Sequence, residues 1–122
     1  MDIGYIKHRM RKEADAEFAK WVEYKNNPNA DDAISHGILE GYVVMDEFLN
    51  AMKPYHRCSS FCERLFELEH ELERNLIGYR RGLHYDLHET DVMLKEKIIR
   101  WKAIAHLKSI VLTEDMTDEG GK

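Results

Sequence analysis

Two cysteines and two histidines carry the most suggestive spacing in this chain. Cys58-x3-Cys62 followed by His84-x3-His88 supplies the donor set of a two-cysteine, two-histidine zinc site. Thiolate and imidazole are the ligands a tetrahedral zinc ion takes, at about 2.0–2.3 Å. The stretch between the two pairs reads as one helix, however, and 22 residues of helix rise about 33 Å. The four donors meet only if that helix breaks or if a second subunit contributes half of them. Glu67-Leu68-Glu69-His70 contains the Glu-x-x-His spacing of carboxylate-bridged di-iron bundles, but those centres need the motif twice and a glutamate from each of two further helices. His70-Glu71 lacks the second histidine of a zinc-protease helix. A thiolate nucleophile is conceivable at Cys62, near a helix start and close in sequence to His56, yet no orienting group or oxyanion donor follows it. Neither common glycine-rich phosphate loop is present.

Charge offers more than catalysis does. Lys7, Arg9, Arg11 and Lys12 cluster near the start, and Arg9, Arg11 and Lys12 are the residues that could track a phosphate backbone. Lys95, Lys97, Arg100, Lys102 and Lys108 form a second basic set, spread over more than one face of a helix. Acids dominate elsewhere: Asp31, Asp32, Glu40, Asp46 and Glu47 stand against Lys53 alone, and Glu63, Glu67, Glu69, Glu71 and Glu73 lie between apolar residues as a solvated face. The simplest expectation is that the basic sets pair with the acidic helices of the same molecule.

Four helices must position these groups. Ile3, Ile6, Met10, Ala14, Phe18, Trp21 and Val22 recur at steps of three and four, which predicts a helix over about 3–26, stopped at Asn27-Pro28. Asn29 to Asp32 offer capping oxygens for a second helix over 31–53, whose stripe is Ile34, Ile38, Tyr42, Met45, Phe48, Leu49 and Met52. That helix should be the most buried, and Gly37 and Gly41, one turn apart, should let a neighbour approach closely. Ser60 and Glu63 form a capping box for a third helix over 60–81 with the stripe Phe61, Leu65, Leu68, Leu72, Asn75 and Tyr79, ended at Gly82. A fourth helix over 88–112 is capped by Asp86 or Thr90; Leu94, Ile98, Trp101 and Ala105 are its stripe, widened by Ile104, Leu107, Val111 and Leu112. Residues 113–122 read as a frayed acidic tail.

The fold class expected is therefore all-α: a single-domain antiparallel four-helix bundle with short loops. The 122 residues, net charge of −5 and 43% hydrophobic content suit one folded domain. No run is apolar enough for a membrane span or a signal peptide, and two thiols suit a reducing compartment, so a soluble cytoplasmic protein is expected. By elimination the function expected is non-enzymatic and free of cofactors: a protein-interaction module, acting as a homodimer. Asp46, Glu47, Glu67, Glu69, Glu71, Glu73 and Phe66 would form its partner surface. One form of this expectation is a small inhibitor or adaptor of the mobile-element type, whose acidic helices occupy the basic groove of a nucleic-acid-binding enzyme. Its rivals are direct nucleic-acid binding through Arg9, Arg11 and Lys12, and a metalloprotein using Cys58, Cys62, His84 and His88.

Overall fold

The computed structural model describes residues 2–81 and 87–120, with side chains at 2–79 and 93–114. Helices α1 (Ile3–Lys25), α2 (Asp32–Ala51), α3 (Cys58–Arg81) and α4 (Leu87–Gly120) form an all-α bundle, without a strand among the described residues. Capping oxygens start the first two. Asp2 accepts from the amides of Gly4 and Tyr5, and Asp31 accepts from those of Ala33 and Ile34. Each carboxylate satisfies amides that have no partner within the helix and places negative charge at the positive helix end. The far end of α2 is held by a residue from elsewhere: the Lys7 ammonium on α1 donates to the carbonyls of Met52 at 3.0 Å and Tyr55 at 2.5 Å.

Chain neighbours run antiparallel. Arg11 and Phe18 of α1 meet Asp46 and Tyr42 of α2, and Phe66 and Tyr79 of α3 meet Lys108 and Lys97 of α4. Helices α2 and α4 also pack on each other, and they run parallel, with His36 and Glu40 opposite Glu96 and Arg100. In a square up-down bundle those two helices are diagonal partners; here they are direct neighbours, and the main packing order is α1, α2, α4, α3. Gly37 and Gly41 are the reason. A Cβ at Gly37 would stand 3.1 Å from Ile99 Cδ1, and one at Gly41 would stand 3.8 Å from Ile99 Cγ2, so the seam fits a side chain from α4 against bare backbone of α2.

Helix α4 thereby touches all three others, and the core gathers along it rather than along α2. Ala103, Ile104, Leu107, Ile110 and Val111 are buried, facing Ile6, Met10 and Ala14 of α1, Met45, Phe48 and Leu49 of α2, and Phe61 and Leu65 of α3. The centre of the α4 stripe therefore falls on Ile104, Leu107 and Val111, expected only to widen it, and on Ala103 and Ile110, while Trp101 is half-buried and Leu112 is exposed. On α3 the inward line is Phe61, Leu65, Glu69, Leu72 and Leu76; Asn75 is exposed and does not enter the core. Helix α3 begins at Cys58, two residues before the expected capping box, so Ser60 lies within its first turn. Helical backbone in α4 continues past Leu112 to Gly120, because no breaker intervenes; the Thr113 hydroxyl donates to the Ser109 carbonyl and Glu114 pairs with Arg9 of α1. The expected Gly82 stop and Asp86 cap lie outside the described residues.

Candidate functional site

A trough opens where α1 and α4 part over α2. The two walls are tied at one end: Arg9 pairs with Glu114, and His106 Nε2 lies 3.1 Å from Glu13 Oε2. The buried residues of α1 stop at Ala14, and beyond it Glu17 and Lys20 line a wall that does not close on α4. The floor is apolar. Ile34, Gly37, Ile38, Gly41 and Met45 of α2 lie beside Ile98, Ile99 and Ala103 of α4. The open recess has a volume of about 720 Å³. Ile34, on the expected core stripe, is 54% exposed at the trough's open end, an apolar side chain left in water by the parting of the walls. The rim carries Lys95 and Lys102 from α4 opposite Lys20 from α1, with Glu17 as the acid between.

Beside the trough, α2 and α4 are laced by charge. Arg100 Nε donates to Glu40 Oε1 at 2.7 Å, and His36 lies 3.6 Å from Glu96. The donor atoms of His36, Glu40 and Glu96 come within 4.8 Å of one another, close enough in principle for a metal ion. The Arg100 guanidinium already serves Glu40 as its cation, and that hydrogen bond, reinforced by the charges of Glu40, Glu96 and Glu47, holds the Arg100 pKa above its usual value. The cluster is therefore an ion-pair ladder across the helix seam.

The residues singled out by charge are largely occupied within the molecule. Arg11, from the candidate phosphate-binding set, donates to Asp46, from the candidate partner surface, at 2.8 Å, and Asn50 donates to the other oxygen of that carboxylate. Arg9 pairs with Glu114, whereas Lys12 is exposed. No comparison with family models, curated proteins or solved structures finds a match for this chain. On α3, Glu67 and Glu71 are exposed and share Arg64, at 3.6 and 3.5 Å; Glu73 is half-exposed and Glu47 of α2 is exposed.

Glu69 departs from the expected solvated face. It is only 8% exposed, and its two oxygens accept from Trp101 Nε1 at 3.2 Å and Lys108 Nζ at 3.4 Å. Phe66, one turn earlier, is half-buried with the Lys108 ammonium 5.2 Å from its ring centroid. These residues tie α3 to α4.

Cys58 and Cys62 lie one turn apart at the start of α3 and form no disulfide. Helix α3 is unbroken over 24 residues, about 36 Å. His84 and the His88 side chain lie outside the described residues. An unbroken α3 separates the thiols from the end of the helix that precedes His84, which removes the bend a four-ligand site within one chain requires. Among the described residues, no helix is long and apolar enough to cross a membrane.

The trough was not anticipated, although two signs of it stand in the sequence. Gly37 and Gly41 mark the close seam, and Lys95 and Lys102, seven residues apart, fall on one face of α4. The parting of α1 from α4 has no such sign, because a stripe of apolar residues states which face turns inward and not how far that face is covered.

Proposed function

We propose that this chain is a non-enzymatic protein-interaction module whose docking surface is the trough between α1, α2 and α4. The observation that carries the reading is the apolar floor, open to solvent at Ile34 and edged with charge. An apolar recess with a polar rim is the anatomy of a contact surface, where the floor contributes affinity and the rim selects the partner. A second form of the same class uses the outer acids of α3, Glu67 and Glu71, with Glu47 of α2, as a decoy for the basic groove of a nucleic-acid-binding protein. It draws support from their exposure. Two of the acids expected for it are occupied within the molecule, since Asp46 is engaged by Arg11 and Glu69 is buried. Direct nucleic-acid binding keeps Lys12 but must compete with the internal pairing of Arg9 and Arg11.

The test is a photo-crosslinking amino acid placed at position 34, and separately at position 67, in the full chain within its native cells. A discrete protein adduct from position 34, lost when Lys20 and Lys102 are both reversed in charge, supports the trough. An adduct from position 67 alone transfers the function to the acidic face of α3. Adducts with nucleic acid and none with protein would overturn the interaction-module reading.

A further inference from the structure

Resting on the trough as the docking surface, we infer that its occupant is an amphipathic α-helix of a partner protein with acidic flanks. Shape is the first reason. The floor residues recur along α2 at 34, 37, 38, 41 and 45 and along α4 at 98, 99 and 103, with Lys95 and Lys102 above them on the rim, so the recess is bounded by two helix stripes running side by side. From Ala33 to Met45 the floor covers 13 residues, a rise of about 18 Å. That is a trough some three turns long, shaped for a rod. A docked helix presenting apolar residues at i, i+4, i+7 and i+11 would lay one on each turn of the floor.

Charge is the second reason. Lys20 stands on one wall, with Lys95 and Lys102 on the other, all three exposed, and Glu17 is the acid in the lining. Lys95 and Lys102 lie seven residues apart on α4, about 10 Å along its axis. Lys95 is already engaged within the chain, so an acidic flank of a docked helix meets Lys102 on this wall and Lys20 on the facing one. The whole molecule carries −5, so this local positive rim acts at short range, fixing the register of the docked helix more than drawing it from a distance. The exposed Ile34 side chain at the open end gives the helix a further apolar contact.

The experiment uses three stapled helices of about four turns with one identical leucine face and with flanks all glutamate, all glutamine or all lysine. Each is titrated against the full chain by fluorescence anisotropy. The glutamate-flanked helix is expected to bind about tenfold more tightly than the glutamine-flanked one, and the lysine-flanked helix least. Raising salt should narrow the gap. The double variant Lys20→Glu, Lys102→Glu should favour the lysine-flanked helix instead, and Ile34→Asp should weaken all three; circular dichroism of each variant verifies the fold. Equal binding of the glutamate and glutamine helices overturns the acidic partner and leaves the trough as a docking surface. Failure of every helix to bind, or binding indifferent to Ile34→Asp, overturns the trough itself. Two further results overturn the partner helix: a self-associated chain that Ile34→Asp renders monomeric, which makes the occupant a second copy, or tighter binding of dodecanoate than of any helix, which makes it a small anionic amphiphile.

Discussion

Glu69 and Lys7 show how much individual side chains contribute by serving groups on other helices. Glu69 is the buried charged residue on the inward line of α3, and it is tolerated because Trp101 and Lys108 both donate to it. Replacing it with alanine strands an indole N–H and leaves an ammonium without its counter-ion. Lys108 is itself partly exposed and regains water, so Glu69→Ala is expected to cost about 1–3 kcal/mol. Urea unfolding followed by tryptophan fluorescence measures it; a loss under about 0.5 kcal/mol, the size of an ordinary surface change, would contradict the assignment. Lys7 caps carbonyls at the end of α2. Lys7→Met keeps the aliphatic stem and removes the ammonium, so about 1–2 kcal/mol should be lost. The control is Lys12→Met, five residues along the same helix and exposed, which should change the urea midpoint little.

At the scale of elements, the α2–α4 seam converts a pair of glycines into an architecture. Glycine in a helix interior costs about 0.5–1 kcal/mol relative to alanine, and at Gly37 and Gly41 that cost is offset by the approach of Ile99. The two positions should respond differently. A methyl at Gly41 makes ordinary contact, 3.8 Å from Ile99, so Gly41→Ala is expected to stabilise. A methyl at Gly37 sits 3.1 Å from Ile99 Cδ1 and must push that atom aside, so Gly37→Ala should gain less or lose. Ile99→Val removes Cδ1, and in that background Gly37→Ala should recover the helical gain; thermal denaturation of the four variants reads the cycle, and additivity of the two changes would deny the contact. The glycine pair was legible in the sequence, as were the Asp31 cap and the stop at Pro28, because each is a local feature with a local cause. Glu69 was not. Its spacing from Leu65 and Leu72 places it on the inward face, but residue type sends a glutamate to solvent until the partners across the seam are known. The centre of α4 was misjudged for a related reason: Trp101 dominates a count of apolar residues, yet a helix packed on three sides buries the face that all three share.

Across the whole molecule, burial is uneven, and the unevenness follows the trough. Helix α4 is the shared wall of the core, and its buried run from Ala103 to Val111 meets buried residues of α1, α2 and α3. The second half of α1 is different. It has no buried residue after Ala14; Phe18, at 42% exposure, packs on Trp21 and Tyr42 in a surface cluster of rings. Local opening should be easiest where few apolar contacts hold an element. Hydrogen exchange is therefore expected to be slowest over 103–111 of α4 and 45–49 of α2, and faster by orders of magnitude over 18–25 of α1, even though both are continuous helix. Exchange resolved by peptide mass spectrometry distinguishes this from a bundle that opens as one unit, in which all four helices would exchange at a common rate. The same measurement reaches the proposed function. A ligand seated between α1 and α4 adds contacts to the least buried wall, so protection gained on binding should fall on 18–25 and on the first turns of α2, and should leave the already slow run of α4 unchanged. Protection appearing instead along the outer face of α3 would place the partner on the opposite acids.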